Sequence, residues 1–229
     1  PVTIDPSIIT SRYYQDIQDT FIYSTQGSTP KGNAHIIRAG NGGNVPDRSL
    51  IKFNLPELNS GDQVVGAYLN IFSYPKTTEW TPPTRKIQLD VHKMTSDWNE
   101  STATWSNTYN NYSNKIEDFI MYQFDYNNQC KQYMFNITSI AKEWYTTGNN
   151  YGVMIKEHSE ANNVGGNDAY FISADTNSAW YEGRPMVQII YRNQKGIEDY
   201  LSYHIQNNGR AGTVYTLSLI HISEPTRRS

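Results

Sequence analysis

The chain has 229 residues and a formal net charge of −3, with charged residues at 18% and basic residues scattered along its length; this excludes the clustered Lys/Arg surface that nucleic-acid phosphates require. A single cysteine, Cys130, excludes an internal disulfide and a thiolate metal cluster, and no apolar run nears the ~18 residues of a membrane span. Hydrophobic residues at 37% suffice for a packed core, and 18 Tyr, 5 Trp and 7 Phe among many Thr, Ser and Asn favour sheet over helix.

The chain opens on P-V-T-I-D-P, with no initiator Met and no signal-peptide pattern, and reads as a strand already under way in a longer protein. Strands are expected over residues 19–24 (D-T-F-I-Y-S) and 35–38, with a Gly/Ser/Pro loop between them and a Gly/Asn turn at 39–46. Residues 48–55 alternate, with Ile51, Phe53 and Leu55 on one face and Lys52 and Asn54 on the other, until Pro56, which has no amide hydrogen to give a ladder. The longest strand is expected over 63–73, with Val65, Ala67, Leu69 and Ile71 sharing a face. A proline-rich loop, 74–85, carries Tyr74 and Trp80, and 86–93 alternates again with Ile87, Leu89 and Val91 together.

Residues 95–107, T-S-D-W-N-E-S-T-A-T-W-S-N, hold two of the five tryptophans. Asp97 and Glu100 are three apart and suit the cap of one helical turn. From Thr102 the order Thr/Ala/Thr/Trp has period two, which predicts a short strand with Ala103 and Trp105 on one side. The stretch reads as a corner clamped over a sheet. Strands follow over 118–126 and 133–136. The one expected helix is 138–145, started by Thr138 or Ser139, stopped at Gly148, and burying Ile140 and Trp144. Strands over 151–157, 169–174 and 185–191 complete the set.

The expected fold is all-β, a jelly-roll-type β-sandwich of about nine or ten strands with one short helix; a βαβ arrangement would need helices between most strands. Residues 193–216 are polar and aromatic without a clean period and read as a linker or the start of another domain. Residues 217–229 are set aside from the fold, because L-S-L-I-H-I-S-E-P-T-R at 217–227 matches the translation of a transposase-type sequencing adapter.

Five stretches occur in one order: R-S-L-I-K-F-N-L at 48–55, A-Y-L-N-I at 67–71, V-H-K-M-T-S-D-W-N-E-S-T-A-T-W-S-N at 91–107, I-T-S-I-A-K-E-W-Y-T-T-G-N-N-Y-G at 137–152 and R-P-M-V-Q-I-I-Y at 184–191. That order resembles the DNRLRE domain, a bacterial surface module grouped with carbohydrate-binding modules, over residues 11–192. Residues 1–10 and the segment from 193 resemble the neighbours of this domain in wall-associated proteins with Rhs (Tyr-Asp) repeats. The resemblance implies a secreted, non-catalytic module that attaches to cell-wall or extracellular polysaccharide and adjoins other domains of its own chain. Its alternative implication is a structural spacer against the repeat shell.

Arg48, Trp98, Glu100, Trp105 and Trp144 fall on the motif positions and are expected to shape the fold, each indole N–H finding a partner among nearby Ser and Asn. Tyr74, Trp80, Trp180 and Tyr181 lie in loops where no apolar period explains them, and they are the candidate ligand-stacking rings. Glu157, His158, Glu160 and Asp168 flank a loop with Gly165 and Gly166 and could hold calcium, but their spacing matches no dedicated loop, so solvated charge is the favoured reading and no metal or cofactor is assigned. No pair of carboxylates is singled out for glycosidic cleavage, and no nucleophile, zinc or phosphate motif occurs, so no catalytic residue is assigned. His92 is expected to be packed or solvated.

Overall fold

Alternating apolar residues on many short segments can be buried only by laying one sheet on another. In the computed structural model, which describes residues 7–42, 45–75, 86–123, 130–160, 168–176 and 182–192, this is the arrangement. The strands are β1 (Ser7–Ile9), β2 (Ile17–Tyr23), β3 (Ile36–Gly42), β4 (Val45–Phe53), β5 (Gln63–Phe72), β6 (Lys86–Lys93), β7 (Asp118–Gln123), β8 (Gln132–Asn136), β9 (Val153–Glu157), β10 (Asp168–Ile172) and β11 (Met186–Arg192). Two helices are described, α1 (Trp105–Thr108) and α2 (Thr138–Thr147). One antiparallel sheet runs β1-β11-β5-β8; the other runs β10-β3-β4-β9-β6-β7, with β2 on the remaining edge of β4. The protein is an all-β sandwich.

The core lies between the sheets. Ala67, Leu69 and Ile71 of β5, Phe135 of β8 and Val187 and Ile189 of β11 meet Ile51 and Phe53 of β4, Ile87, Leu89 and Val91 of β6 and Val153 and Ile155 of β9. None of these is more than 3% exposed, and full burial of each large aliphatic or Phe side chain contributes roughly 1.5–3 kcal/mol. Helix α2 adds Ile140, Ala141 and Trp144 to the same cluster. It starts where Asn136 Oδ1 accepts hydrogen bonds from the Thr138 amide and hydroxyl, and it ends at Gly148, whose φ of 75° is the left-handed cap that glycine supplies.

Four expectations change. The described strands number eleven and the helices two. The 39–46 turn is shorter than expected, because β3 runs on to Gly42 and pairs Gly40 with Asp47 and Gly42 with Val45. In β5 the register shifts opposite Ile190 and Tyr191: Gly66 pairs with Ile190 but Val64 with Tyr191. The unpaired Val65 is a β-bulge, so Val64, not Val65, joins Ala67 and Leu69 in the core. The fourth is the strand expected from Thr102, which is the one-turn helix described below.

Two carboxyls are buried inside this frame. Asp19 accepts hydrogen bonds from Ser173 Oγ and the Ala174 amide, both at 2.7 Å, and its burial pushes its pKa from 3.8 to about 7. Asp47 and Asp168 both pair with Gly40 from opposite sides, so their side chains leave the same side of the sheet across a residue with no Cβ. Burial, then the neighbouring Asp168 charge, raises Asp47, even though Arg38 stands 3.1 Å away. Both carboxyls hold their protons more tightly folded than unfolded. Their contribution to stability is therefore complete below about pH 4 and is lost as pH rises toward 7 and beyond. Thermal unfolding should show a melting temperature that falls between about pH 5 and pH 8, and Asp47→Asn should flatten that profile.

Candidate functional site

Successive residues of a strand face opposite sides. With Ile51, Ile155 and Val91 inward, the intervening residues of the larger sheet face out. In the paired register, Leu50 lies beside Met154 and Met154 beside His92, while Lys156 lies beside Asp90 and Asp90 beside Phe119. Half of this outer side is covered by residues 94–112. Ile22, Leu50, Met94, Trp98, Ala103 and Met154 form a second apolar cluster there, with Trp105, Tyr112 and Tyr151 packed against it.

The cover is locked by side chains of the expected signature. Trp98 is 7% exposed and donates its indole N–H to Tyr151 O at 2.8 Å. Lys52 Nζ donates to Trp98 O and to Asp97 Oδ1 and stands 5.2 Å over the Trp98 ring. Asp97 therefore caps no helix; the Lys52 hydrogen bond holds its carboxyl below the usual range. Glu100 instead reaches β2, where its Oε2 accepts the Asp19 amide at 3.1 Å, and burial raises its pKa. The turn is made by Asn99, whose carbonyl accepts the Thr102 and Ala103 amides. Thr104 then starts α1 through a capping box with Asn107, whose Oδ1 accepts the Thr104 amide at 2.8 Å. That box overrides the period-two pattern and replaces the expected strand with a helical turn. Ala103 and Trp105 still meet the same cluster. Trp144 lies apart from them, 2% exposed in the main core.

The helical turn builds a stack of planar groups. The Arg48 guanidinium lies 4.6 Å from the Trp105 ring centroid, and Tyr109, four residues after Trp105, lies parallel to that indole at 5.6 Å and 12°. Arg48 Nε and Nη2 donate to both oxygens of Glu160 at 2.8 and 2.7 Å, and Nη1 donates to Tyr109 O. The Tyr109 amide donates to Trp105 O. Exposure grows along the stack: Arg48 is 6% exposed, Trp105 half-buried and Tyr109 38% exposed. Tyr109 is a ring held at the surface by bonds on both sides of its peptide.

Beyond Arg48 the outer row continues through Lys156 and Asp90 to Phe119, three strand spacings or roughly 15 Å away. Asp90 accepts from His158 Nδ1 at 2.7 Å and from Gln88 Nε2 at 2.8 Å. Phe119 and Met121 of β7 are exposed beside Asp90 and Gln88. His92 is packed: its Nδ1 contacts the carbonyls of Ser113 and Lys115, and burial lowers its pKa.

The residues weighed for calcium are not the solvated charges expected, since Glu157 is buried at 6% exposure and the others have partners. Glu160 is engaged by Arg48 and Lys156, His158 by Asp90, and Asp168 by the Gly42 amide. Among the described residues no three His, Cys, Asp or Glu side chains could hold a metal ion. Of the rings expected to stack on ligand, Tyr74 is half-buried and its amide donates to Tyr170 O, tying the end of β5 to β10. Trp80, Trp180 and Tyr181 lie outside the described residues. Tyr109 escaped the sequence reading, although its four-residue spacing from Trp105 is a helical signal; a strand reading of the same stretch hides it.

The two sheets define a β-sandwich module. Carbohydrate-binding module family 96 matches residues 10–182, and the chain belongs to that family. No curated protein matches the sequence.

Removing Arg48 takes from Glu160 the partner that bonds both its oxygens, in a largely buried position where only Lys156, at 3.6 Å, remains. Arg48→Ala should lower stability by about 3–5 kcal/mol in urea denaturation, and Arg48→Lys, which keeps charge but not the fork, by less.

Proposed function

We propose that the module holds a glycan chain against the outer face of the larger sheet, with Tyr109 as the ring on which a sugar stacks. The observation that carries this reading is the Arg48–Trp105–Tyr109 stack. It immobilises an exposed aromatic ring before any ligand arrives, so little conformational entropy remains to be lost on binding. An aromatic ring presents a flat apolar surface to the C–H face of a sugar, while fixed polar groups nearby choose its orientation. Gln88 and His158, bonded to Asp90, supply such groups farther along the face.

The module, taken as residues 11–192, acts in this reading without catalysis, attaching a secreted, wall-associated parent protein to cell-wall or extracellular polysaccharide. Residues 1–10 lead in from a preceding segment, with 7–9 joining this sandwich as β1; residues 193–216 begin its following neighbour, and 217–229 are the adapter-like tail. Tyr74, Trp80, Trp180 and Tyr181 form a second set of rings for the same ligand. A spacer role against adjoining repeats is the alternative, and it is favoured by one observation, the outer side of the smaller sheet, where Ile9, Tyr68, Phe72, Met134, Met186 and Ile190 face out.

Affinity electrophoresis across a panel of wall and extracellular polysaccharides tests the assignment. Tyr109→Ala should weaken binding roughly ten-fold, a change of about 1.4 kcal/mol, with an unchanged unfolding midpoint. Trp105→Ala should lose both affinity and stability. Wild-type affinity in Tyr109→Ala for a polymer the native module retains would remove Tyr109 as the platform.

A further inference from the structure

Exposed apolar side chains are gathered in one part of the protein. Six large ones are exposed among the described residues, and four of them, Tyr109, Ile116, Phe119 and Met121, fall within residues 109–121. Phe119 and Met121 are the barest of the four, at 53% and 48%. Ile120 and Tyr122 of the same strand pack into the core, so Phe119 and Met121 share the outer side of the larger sheet with Arg48. Among the described residues β7 pairs only with β6.

Fixed polar groups adjoin this pair. Phe119 lies opposite Asp90 and Met121 opposite Gln88, where cross-strand side chains stand about 5 Å apart. On the other edge of β6 the His158 amide donates to Gln88 O, and the His158 ring turns onto Asp90, with Nδ1 2.7 Å from Oδ2. Phe119 and His158 therefore flank one carboxylate, which is 2% exposed and also accepts from Gln88 Nε2. A carboxylate only accepts, so Nδ1 carries the proton of that bond. Nε2 is thereby oriented on a side chain that is 51% exposed, and it bonds nothing among the described residues.

We propose that Phe119 and His158 form a further sugar subsite, an inference that rests on the reading that this face holds a glycan. A sugar ring lays its C–H face on Phe119, and His158 Nε2 accepts one of its hydroxyls. A bare ring beside one oriented acceptor suits a ligand that presents C–H faces and hydroxyls together. Arg48, at the base of the Tyr109 stack, stands three strand spacings from Phe119, roughly 15 Å. One ligand that meets both rings must cross the strands, which calls for an extended polysaccharide bound along its length.

Methyl NMR of the full chain, isotope-labelled at its methionine methyls, reads the subsite. The probes are hydroxyethylcellulose, arabinoxylan, galactomannan and polygalacturonate. Met121 adjoins the subsite, while Met134 on the other sheet is nearly equal in exposure. A bound polymer should shift the Met121 signal and leave Met134 unmoved. In affinity electrophoresis with that polymer, Phe119→Ala and Phe119→Leu should each weaken binding about five-fold, and Phe119→Trp should keep it, all with the wild-type unfolding midpoint. His158→Asn keeps an amide to donate to Asp90 but has no atom at the Nε2 position, and it should weaken binding about three-fold. Full affinity in Phe119→Ala or in His158→Asn overturns the subsite; loss in Tyr109→Ala in the same assay then leaves the Tyr109 platform standing. Loss in both of the first two with full affinity in Tyr109→Ala upholds the subsite and removes the platform. No binding of any probe polymer overturns both.

Discussion

A guanidinium taken out of water must find replacements for its lost hydration, and Arg48 finds them in four directions. Glu160 takes the fork, Tyr109 O the remaining nitrogen, and Trp105 and Tyr112 offer ring faces at 4.6 and 5.3 Å. Three of these partners lie within residues 105–112 and the fourth follows β9, so the charge cannot be satisfied until β4, that covering stretch and the end of β9 have come together. Buried ion pairs often add little net stability compared with apolar packing. Their value here is positional. The same contacts that neutralise Arg48 fix the helical turn carrying Trp105 and set the angle at which Tyr109 meets solvent.

This arrangement depends on β4 being covered on both sides. Its inward residues Ile51 and Phe53 enter the main core, and Leu50 enters the smaller cluster beneath Trp98. A strand so enclosed cannot slip by one residue without exposing one set and burying Lys52 unpaired. The register that packs the sandwich is thus the register that presents Arg48, and the candidate site inherits its precision from the core. The smaller sheet has no such second layer among the described residues, which is why its outer side reads as a contact surface.

Much of the fold was legible because burial on one side writes itself as period two. Ile87, Leu89 and Val91 were placed correctly by alternation alone, and so were the buried residues of α2. Val65 was not, because a bulge is a register event between two strands and leaves no mark on one of them. Residues 102–105 misled for a different reason. Thr, Ala, Thr and Trp alternate as a strand would, but the decision rested on a local competition, in which the Asn107 side-chain Oδ1 accepts the Thr104 amide. The ring at Tyr109 followed from that competition, so the site was hidden wherever the local structure was misread. The partners of Arg48 at Glu160 are 112 residues away in sequence, and no spacing rule reaches so far.

The pairing of β1 with β11 sets how the module would bear load. Ser7 lies opposite Ile190, so the chain enters and leaves at neighbouring points on one edge of the sandwich. Tension between flanking segments then runs across the short β1–β11 ladder and bypasses the rest. It peels three residues one bond at a time rather than shearing the sheets. The module hangs beside the line of force as a pendant, with the face bearing Tyr109 unstrained while its tethers are pulled.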